Sequence, residues 1–241
     1  MTLPSKLPSI IALTGGGLAR EAGFAPFDPA TLPTGLRLED VLTPDAFRRN
    51  PTTVRGFYNR RRRELLACQP SAAHEALAAL DALRSREVLV VTRNIDDLHE
   101  RAGSQAVIHT HGELLKAQCL ICTKVSERYD DITAETACPV CGNAGHLRPH
   151  IVWVGEEPLG MAAVYQALAQ CRLLLVIGIP SHTEPVRGFI VDATRAGART
   201  VELNAELHPD APQLAERFPG SIAETLPAYA RKLAGVTSWA D

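Results

Sequence analysis

No stretch of this 241-residue chain is apolar for long enough to span a bilayer: the longest, 173–179 (LLLVIGI), falls far short of the ~18 residues required. Charge of neither sign is in excess. Lys and Arg number 25 against 27 Asp and Glu, a net charge of −2, so nothing in the composition draws the chain to nucleic acid or an anionic membrane. Ahead of the first glycine run only 10–13 is apolar, too little for a secretory leader, and the expected compartment is the cytoplasm. Internal repeats and low-complexity segments are missing as well. What remains is an ordinary globular composition, 46% hydrophobic and 22% charged. The chain exceeds the ~100–200 residues of an average domain, so one large α/β unit with inserted segments is expected.

Short continuous apolar runs mark strands buried on both faces. Residues 10–14, 88–91, 151–154, 173–178 and 200–203 have this character. Helices are expected over 18–22, 44–67 (broken at Asn50-Pro51), 71–83 capped by Ser71, 96–101, 161–170, 184–195 and 221–233. Residues 24–36, with Pro26, Pro29 and Pro33, read as loop. This alternation predicts a doubly wound parallel sheet with helices on both faces.

The segment 116–146 differs in kind, being polar and bounded by paired cysteines. Cys119, Cys122, Cys138 and Cys141 form a C-x2-C-x15-C-x2-C pattern that supplies four thiolates, the ligand set of a tetrahedral structural Zn2+. Reduced structural cysteines or two redox pairs are the competing readings. Cys68 and Cys171 stand alone and read as small core fillers.

Other motifs are weaker singly. Thr14, Gly15, Gly16 and Gly17 at a strand end form either a tight turn or a backbone cradle for phosphate. Arg93, Asn94, Ile95 and Asp96 follow the second strand, although Asp96 also suits a helix cap. His109 and His111, two apart on an extended segment, are expected to face one side. Tyr58 and Arg61 lie at i and i+3 of a helix, a hydroxyl beside a guanidinium that suits a carboxylate. The surrounding run 60–63 is otherwise a solvated face.

In order along the chain, these segments resemble the sirtuin family of NAD-dependent protein lysine deacylases. The landmarks are TGGGLAREAGFAPF at 14–27, TRNID at 92–96, His111-Gly112, the four cysteines, LRPHIVWVGE at 147–156, Gly178, VELNAE at 201–206 and SIAETLP at 221–227. The helical middle resembles the bacterial branch whose Y-x-x-R motif recognises acidic acyl groups such as succinyl. The resemblance implies a Rossmann-type core (about 5–26, 69–112 and 150–235), a helical insert (about 27–68) and a zinc module (about 113–149). It implies NAD+ and Zn2+ as cofactors, acylated lysine side chains of proteins as partners, and a monomer. By position, His111 is the general base, with Asn94 and Asp96 beside it in catalysis. Thr14, Gly15, Gly16, Gly17, Ala22, Phe27, Arg93, Asn94, Ile95, Asp96, Gly178, Ile179, Asn204 and Ala223 fall on the cofactor side. Val152, Val154 and Gly155 fall on the substrate peptide, and Tyr58 and Arg61 on the acyl tail.

Departures from the family pattern cluster at the cofactor. Asp28 stands where an arginine is usual, Arg93 replaces glutamine, and Ile179-Pro180 replaces a Thr-Ser pair, removing two hydroxyls. Arg93 and Asp28 are expected to pair and so restore charge balance. Leu42 stands where the acidic-acyl branch has alanine and narrows the expected channel. ADP-ribosyl transfer, NAD hydrolysis, and a weakly active protein that binds NAD or acyl-lysine remain the competing functions.

Overall fold

The computed structural model describes residues 8–25, 32, 34–84 and 87–236. In chain order the elements are β1 (Ile10–Thr14), α1 (Gly16–Glu21), α2 (Pro44–Arg49), α3 (Pro51–Ala67), α4 (Ala72–Leu83), β2 (Val88–Thr92), α5 (Leu98–Arg101), β3 (Val107–His109), β4 (Gly112–Cys119), β5 (Val125–Glu127), β6 (Leu147–Ile151), α6 (Met161–Leu168), β7 (Leu173–Ile177), α7 (Val186–Arg195), β8 (Arg199–Asn204), β9 (Glu216–Pro219) and α8 (Ile222–Ala234). The first nine residues after Leu42 illustrate the local logic. Thr43 and Asn50 each accept a backbone N–H, from Ala46 and Thr53, and each is followed by proline at the first helical position, so one helix stops and the next starts there.

Six strands form a parallel sheet in the order β3-β2-β1-β7-β8-β9. β1 pairs with β2 on one side (Leu13 opposite Val91) and β7 on the other (Leu13 opposite Val176). Alternate residues of these strands feed two cores. Ile10, Ala12, Val90 and Leu175 pack under α4 and α8, while Ile11, Leu13, Val91 and Leu174 pack under α6 and α7. Both faces being apolar is what makes the runs continuous rather than alternating. The doubly wound parallel sheet expected from the sequence is therefore present.

Two expectations are corrected. The strand expected at 151–154 ends instead at Ile151: β6 pairs antiparallel with β4 in a separate three-stranded sheet, β5-β4-β6. Beyond it the chain leaves the sheet, with Val152 N–H on the His111 carbonyl and Val154 N–H on that of Leu42. The first helix starts two residues before the expected Leu18, because Gly16 and Gly17 form its opening turn. Strands β3, β4, β5 and β9 were not expected; β4 mixes Lys116 and Gln118 with apolar residues, and β9 is only half-buried.

Candidate active site

Loops from several elements meet at the carboxyl ends of the parallel strands, beside the point where strand order reverses between β1 and β7, the usual ligand position in such sheets. They enclose a cavity of about 420 Å³. Gly15, Gly16 and Ala19 line it from the β1–α1 junction, with Phe24 and Ala25 beyond them. Arg93, Asn94, Ile95 and Asp96 enter after β2, His111 after β3, Ile179, Pro180 and Thr183 after β7, and Arg61 from α3. The glycine run is a close approach: a Cβ on Gly17 would stand 2.9 Å from the Gly178 Cα, and the Gly17 N–H donates to the Gly178 carbonyl at 2.8 Å.

Asn94 is held from both ends, its N–H on Thr92 Oγ1 and its amide on the Gly15 carbonyl, each at 3.0 Å. Asp96 is 1% exposed. Its Oδ1 accepts from the Leu98 N–H at 3.2 Å, so the capping role is real, but its Oδ2 is buried with no partner among the described residues. Burial pushes this carboxyl up to about 6.

His111 has a fixed tautomer. The Thr110 hydroxyl donates its single proton to the Thr92 carbonyl at 3.1 Å, so at 2.9 Å it accepts from His111 Nδ1–H. That leaves the Nε2 lone pair as the basic site. Burial, with the Arg93 charge beside it, pushes the imidazole down to about 4, so the ring is neutral at pH 7.

The two histidines do not face one side. β3 ends at His109, and a turn follows, closed by Gly112 at φ +82°, where a Cβ would lie 2.1 Å from the His150 carbonyl oxygen. His109 is turned into the protein, between the Asn94 carbonyl and Glu100. The alternation of an extended strand does not continue past its last paired residue.

The remaining cofactor-side residues lie around the cavity rather than on its lining. Thr14 is fully buried, its Oγ1 3.0 Å from His99 Nε2. Ala22 caps α1, Gly178 adopts φ +60°, and Ala223 opens α8. Phe27 and Asp28 lie outside the described residues, so the expected Asp28–Arg93 pair does too. Arg93 is half-buried, and its backbone N–H bonds the Thr14 carbonyl at 3.0 Å.

A network that sequence reasoning missed holds the 179–181 loop. Glu202, 1% exposed on β8, accepts from the Ser181 hydroxyl at 2.6 Å, the Asn204 amide at 2.8 Å and Arg217 Nε at 2.7 Å. Asn204 also donates to the Ile179 carbonyl at 3.0 Å. The signal was a lone Glu inside the apolar run TVELN.

On α3 the arginine run is solvated only in part: the Arg60 and Arg63 side chains are 36% and 59% exposed, but the two between them are buried. Arg61 and Arg62 are 8% and 0% exposed. Arg61 bonds Glu64 and the Ala25 carbonyl and stacks over Phe24, 4.2 Å from the ring centroid. Tyr58 is fully buried and absent from the cavity lining; its hydroxyl accepts from Trp153 Nε1 at 2.9 Å. Val154 lies 70% exposed at the edge, and Gly155 takes φ +91°.

The cysteines converge although Cys119 and Cys141 are far apart in sequence. All four sulfurs lie within 4.8 Å of one another, and the Cys119–Cys141 and Cys122–Cys138 separations are both 3.7 Å. A tetrahedron with Zn–S bonds of ~2.3 Å has an edge of ~3.8 Å, so the donor set fits Zn2+ with no open position. The Ile121 and Val140 N–H groups donate to Cys119 and Cys138 sulfur, each at 3.4 Å, which orients the two sulfurs and favours their thiolate form. Helix α3 holds this module: Asn59 exchanges two 2.9 Å bonds with the Ile132 backbone, and Arg55 caps the Gly145 and Leu147 carbonyls.

A parallel sheet with a ligand-sized cavity at its switch point and a four-cysteine module defines an α/β protein of the dinucleotide-binding type. The Sir2 family model matches residues 15–185, and the chain belongs to that family. It is 45% identical over 233 residues to the NAD-dependent protein deacylase of Escherichia coli (strain K12), covering 94% of this chain and 82% of that one. Among solved structures, a Sir2 homologue in complex with NAD superimposes with a TM-score of 0.83 at 30% identity, over 93% of this chain and 90% of that one. A mutant Sir2 homologue bound to 2'-O-acetyl ADP ribose gives 0.81 at 29% identity, over 95% and 94%.

Proposed function

We propose that this chain is an NAD-dependent protein lysine deacylase that transfers the acyl group to ADP-ribose and releases nicotinamide. The observation that carries the reading is the cavity's pairing of a neutral His111, its Nε2 lone pair available, with an Asp96 oxygen that has no partner among the described residues. NAD+, when bound, would supply an electrophilic ribose carbon, whose bond to nicotinamide breaks as the acyl oxygen takes its place. His111 removes a ribose hydroxyl proton at Nε2, which a general base must do in its neutral form. Asp96 accepts an N–H from the nicotinamide carboxamide, a carboxylate to amide contact that uses the free lone pairs of its Oδ2. Asn94, pinned to Gly15, orients the ribose. Gly15, Gly16 and Gly17 give the diphosphate room beside the start of α1, and Asn204 with Ala223 serves the adenosine end.

The acyl-lysine peptide lies along 152–155. The N–H groups of Val152, Trp153 and Val154 are taken within the chain, so pairing uses the Val152 and Val154 carbonyls. Arg61 reaches an acidic acyl tail through the cavity, with Tyr58 fixing the wall behind it through Trp153. The chain divides into the Rossmann-type core, the helical insert and the zinc module; it works as a monomer in the cytoplasm, where thiolates stay reduced for zinc.

The test is mass spectrometry of acetyl- and succinyl-lysine peptides incubated with NAD. O-acyl-ADP-ribose and nicotinamide are expected with both peptides. ADP-ribosylated protein, or nicotinamide without acyl transfer, would replace this reading with ADP-ribosyl transfer or NAD hydrolysis. Arg61→Met is expected to abolish desuccinylation and spare deacetylation; equal loss of both makes the arginine structural.

A further inference from the structure

His109 is an unusual residue to bury, being 5% exposed at the end of β3 and used by no step above. Its two ring nitrogens face two oxygens. Nδ1 lies 3.2 Å from the Asn94 carbonyl and Nε2 lies 2.8 Å from Glu100 Oε1. A carbonyl only accepts, and an ionised carboxylate only accepts. A neutral imidazole carries one N–H, so it would satisfy one contact and set a lone pair against oxygen in the other. Both contacts are made only when the ring holds two protons, and Glu100 supplies the balancing charge from α5.

We propose that His109 is a positioning residue, a buried imidazolium that clamps the Asn94 carbonyl and so fixes the loop presenting Asn94 and Asp96 to the cavity. The clamp rests on the reading of that cavity as the NAD site. Its position is apt: the clamped carbonyl belongs to the peptide between Asn94 and Ile95, and both residues line the cavity. Asn94 is then held at three atoms, its carbonyl by His109, its N–H by Thr92 and its amide by Gly15. The charged and titratable groups around the ring are Glu100 and His99 on α5, Glu113 on β4 and Asp96 in the clamped loop. Glu113 is itself paired with Lys116 at 2.7 Å, leaving Glu100 as the principal partner. Burial alone lowers the proton affinity of the ring, but the bond to Glu100 and its charge outweigh that and raise it above its ordinary value.

Nitrogen-15 NMR of the full zinc-loaded chain reads the protonation directly. Both His109 nitrogens are expected to be protonated at pH 7, while His111 shows one protonated and one bare nitrogen. A bare nitrogen on His109 at pH 7 would overturn the clamp whatever the protein's activity. Calorimetric titration with NAD then reads its consequence. His109→Phe keeps a ring but no donor, and should weaken NAD binding roughly tenfold, the size of one net hydrogen bond. His109→Gln, which restores one N–H donor, should recover most of that loss, a rescue that packing alone does not give. Circular dichroism and zinc content matching wild type show that both variants fold. Unchanged NAD affinity in His109→Phe sinks the proposal. Wild type that binds no NAD sinks the reading of the cavity instead, and the NMR result still decides the imidazolium.

Discussion

The cysteine module and the parallel sheet are held together by different physics. The sheet has an apolar core on each face, with Leu174, Leu175, Val176 and Ile177 all fully buried in one strand. The module's own cluster is five residues, Ala117, Cys119, Ile132, Cys138 and Leu147, and two of those are metal ligands. An apolar core that small cannot offset the entropy of ordering the segment between the cysteines, so metal and outside support must do it. The support comes from α3, whose Arg55, Asn59 and Arg62 satisfy backbone groups of the module and of β4. The same helix sends Arg61 into the cavity. One region is stabilised by solvent exclusion, the other by coordination and polar clamps.

The sharpest way to break that contrast is to remove the metal. Purified protein should carry one zinc per chain. Cys138→Ala should lose it and unfold the module, because structural zinc contributes as much as ~10 kcal/mol to such units. Elemental analysis with a thermal melt checks both, and a metal-free wild type of full stability would break the comparison. A chemical deletion in the cavity should act in the opposite sense. His111→Ala should lose at least ~10²-fold in deacylation, the contribution of a general base, with zinc content and melting unchanged.

Asp96 sharpens the point further, because its role and its stability conflict. Its carboxyl is raised from the ordinary 3.8 to about 6, so between those values the native chain binds more protons than the unfolded one. Stability from this group is therefore greatest below pH 4 and falls as pH rises through 6. Asp96→Asn should make the protein about 2–3 kcal/mol more stable at pH 7.5 while NAD turnover is lost. Denaturant melts of wild type and Asp96→Asn at pH 4 and 7.5 measure it; the same difference between the two proteins at both pH values would mean that the carboxyl is not desolvated. In wild type, deacylation should fall as pH drops through about 6, because Asp96 protonates there while His111 stays neutral down to about 4.

The smallest effect belongs to the network that holds the 179–181 loop. Ser181→Ala removes one donor to the buried Glu202 and leaves Asn204 and Arg217 in place. KM for NAD should rise about two- to tenfold, as one net hydrogen bond is worth ~0.5–1.5 kcal/mol and two other donors to the carboxylate remain. A larger rise, equal to that of Glu202→Gln, would show that the serine governs the whole loop.

Covalent spacing alone determined a good deal of this protein. Each Cys-x-x-Cys pair is a local turn, and continuous apolar runs such as IIALT and LLLVI declare a strand buried on both faces wherever it is placed. The order of landmarks carried the family resemblance, and Asn94, Asp96 and His111 stand together around one cavity. Tertiary structure decided where polar groups found partners, since those partners are remote in sequence. Arg62 reads as surface in the run NRRRRE, yet its Nε bonds the Leu114 carbonyl and its Nη1 the Asn59 side chain, which makes burial tolerable. His109 and His111 are chemically alike and two residues apart. Only the end of β3 and the turn beyond it send one to Glu100 and the other to the cavity. A local pattern fixes the conformation of the backbone, but the cost of burying a charge is settled by what lies opposite it, and that requires the folded chain.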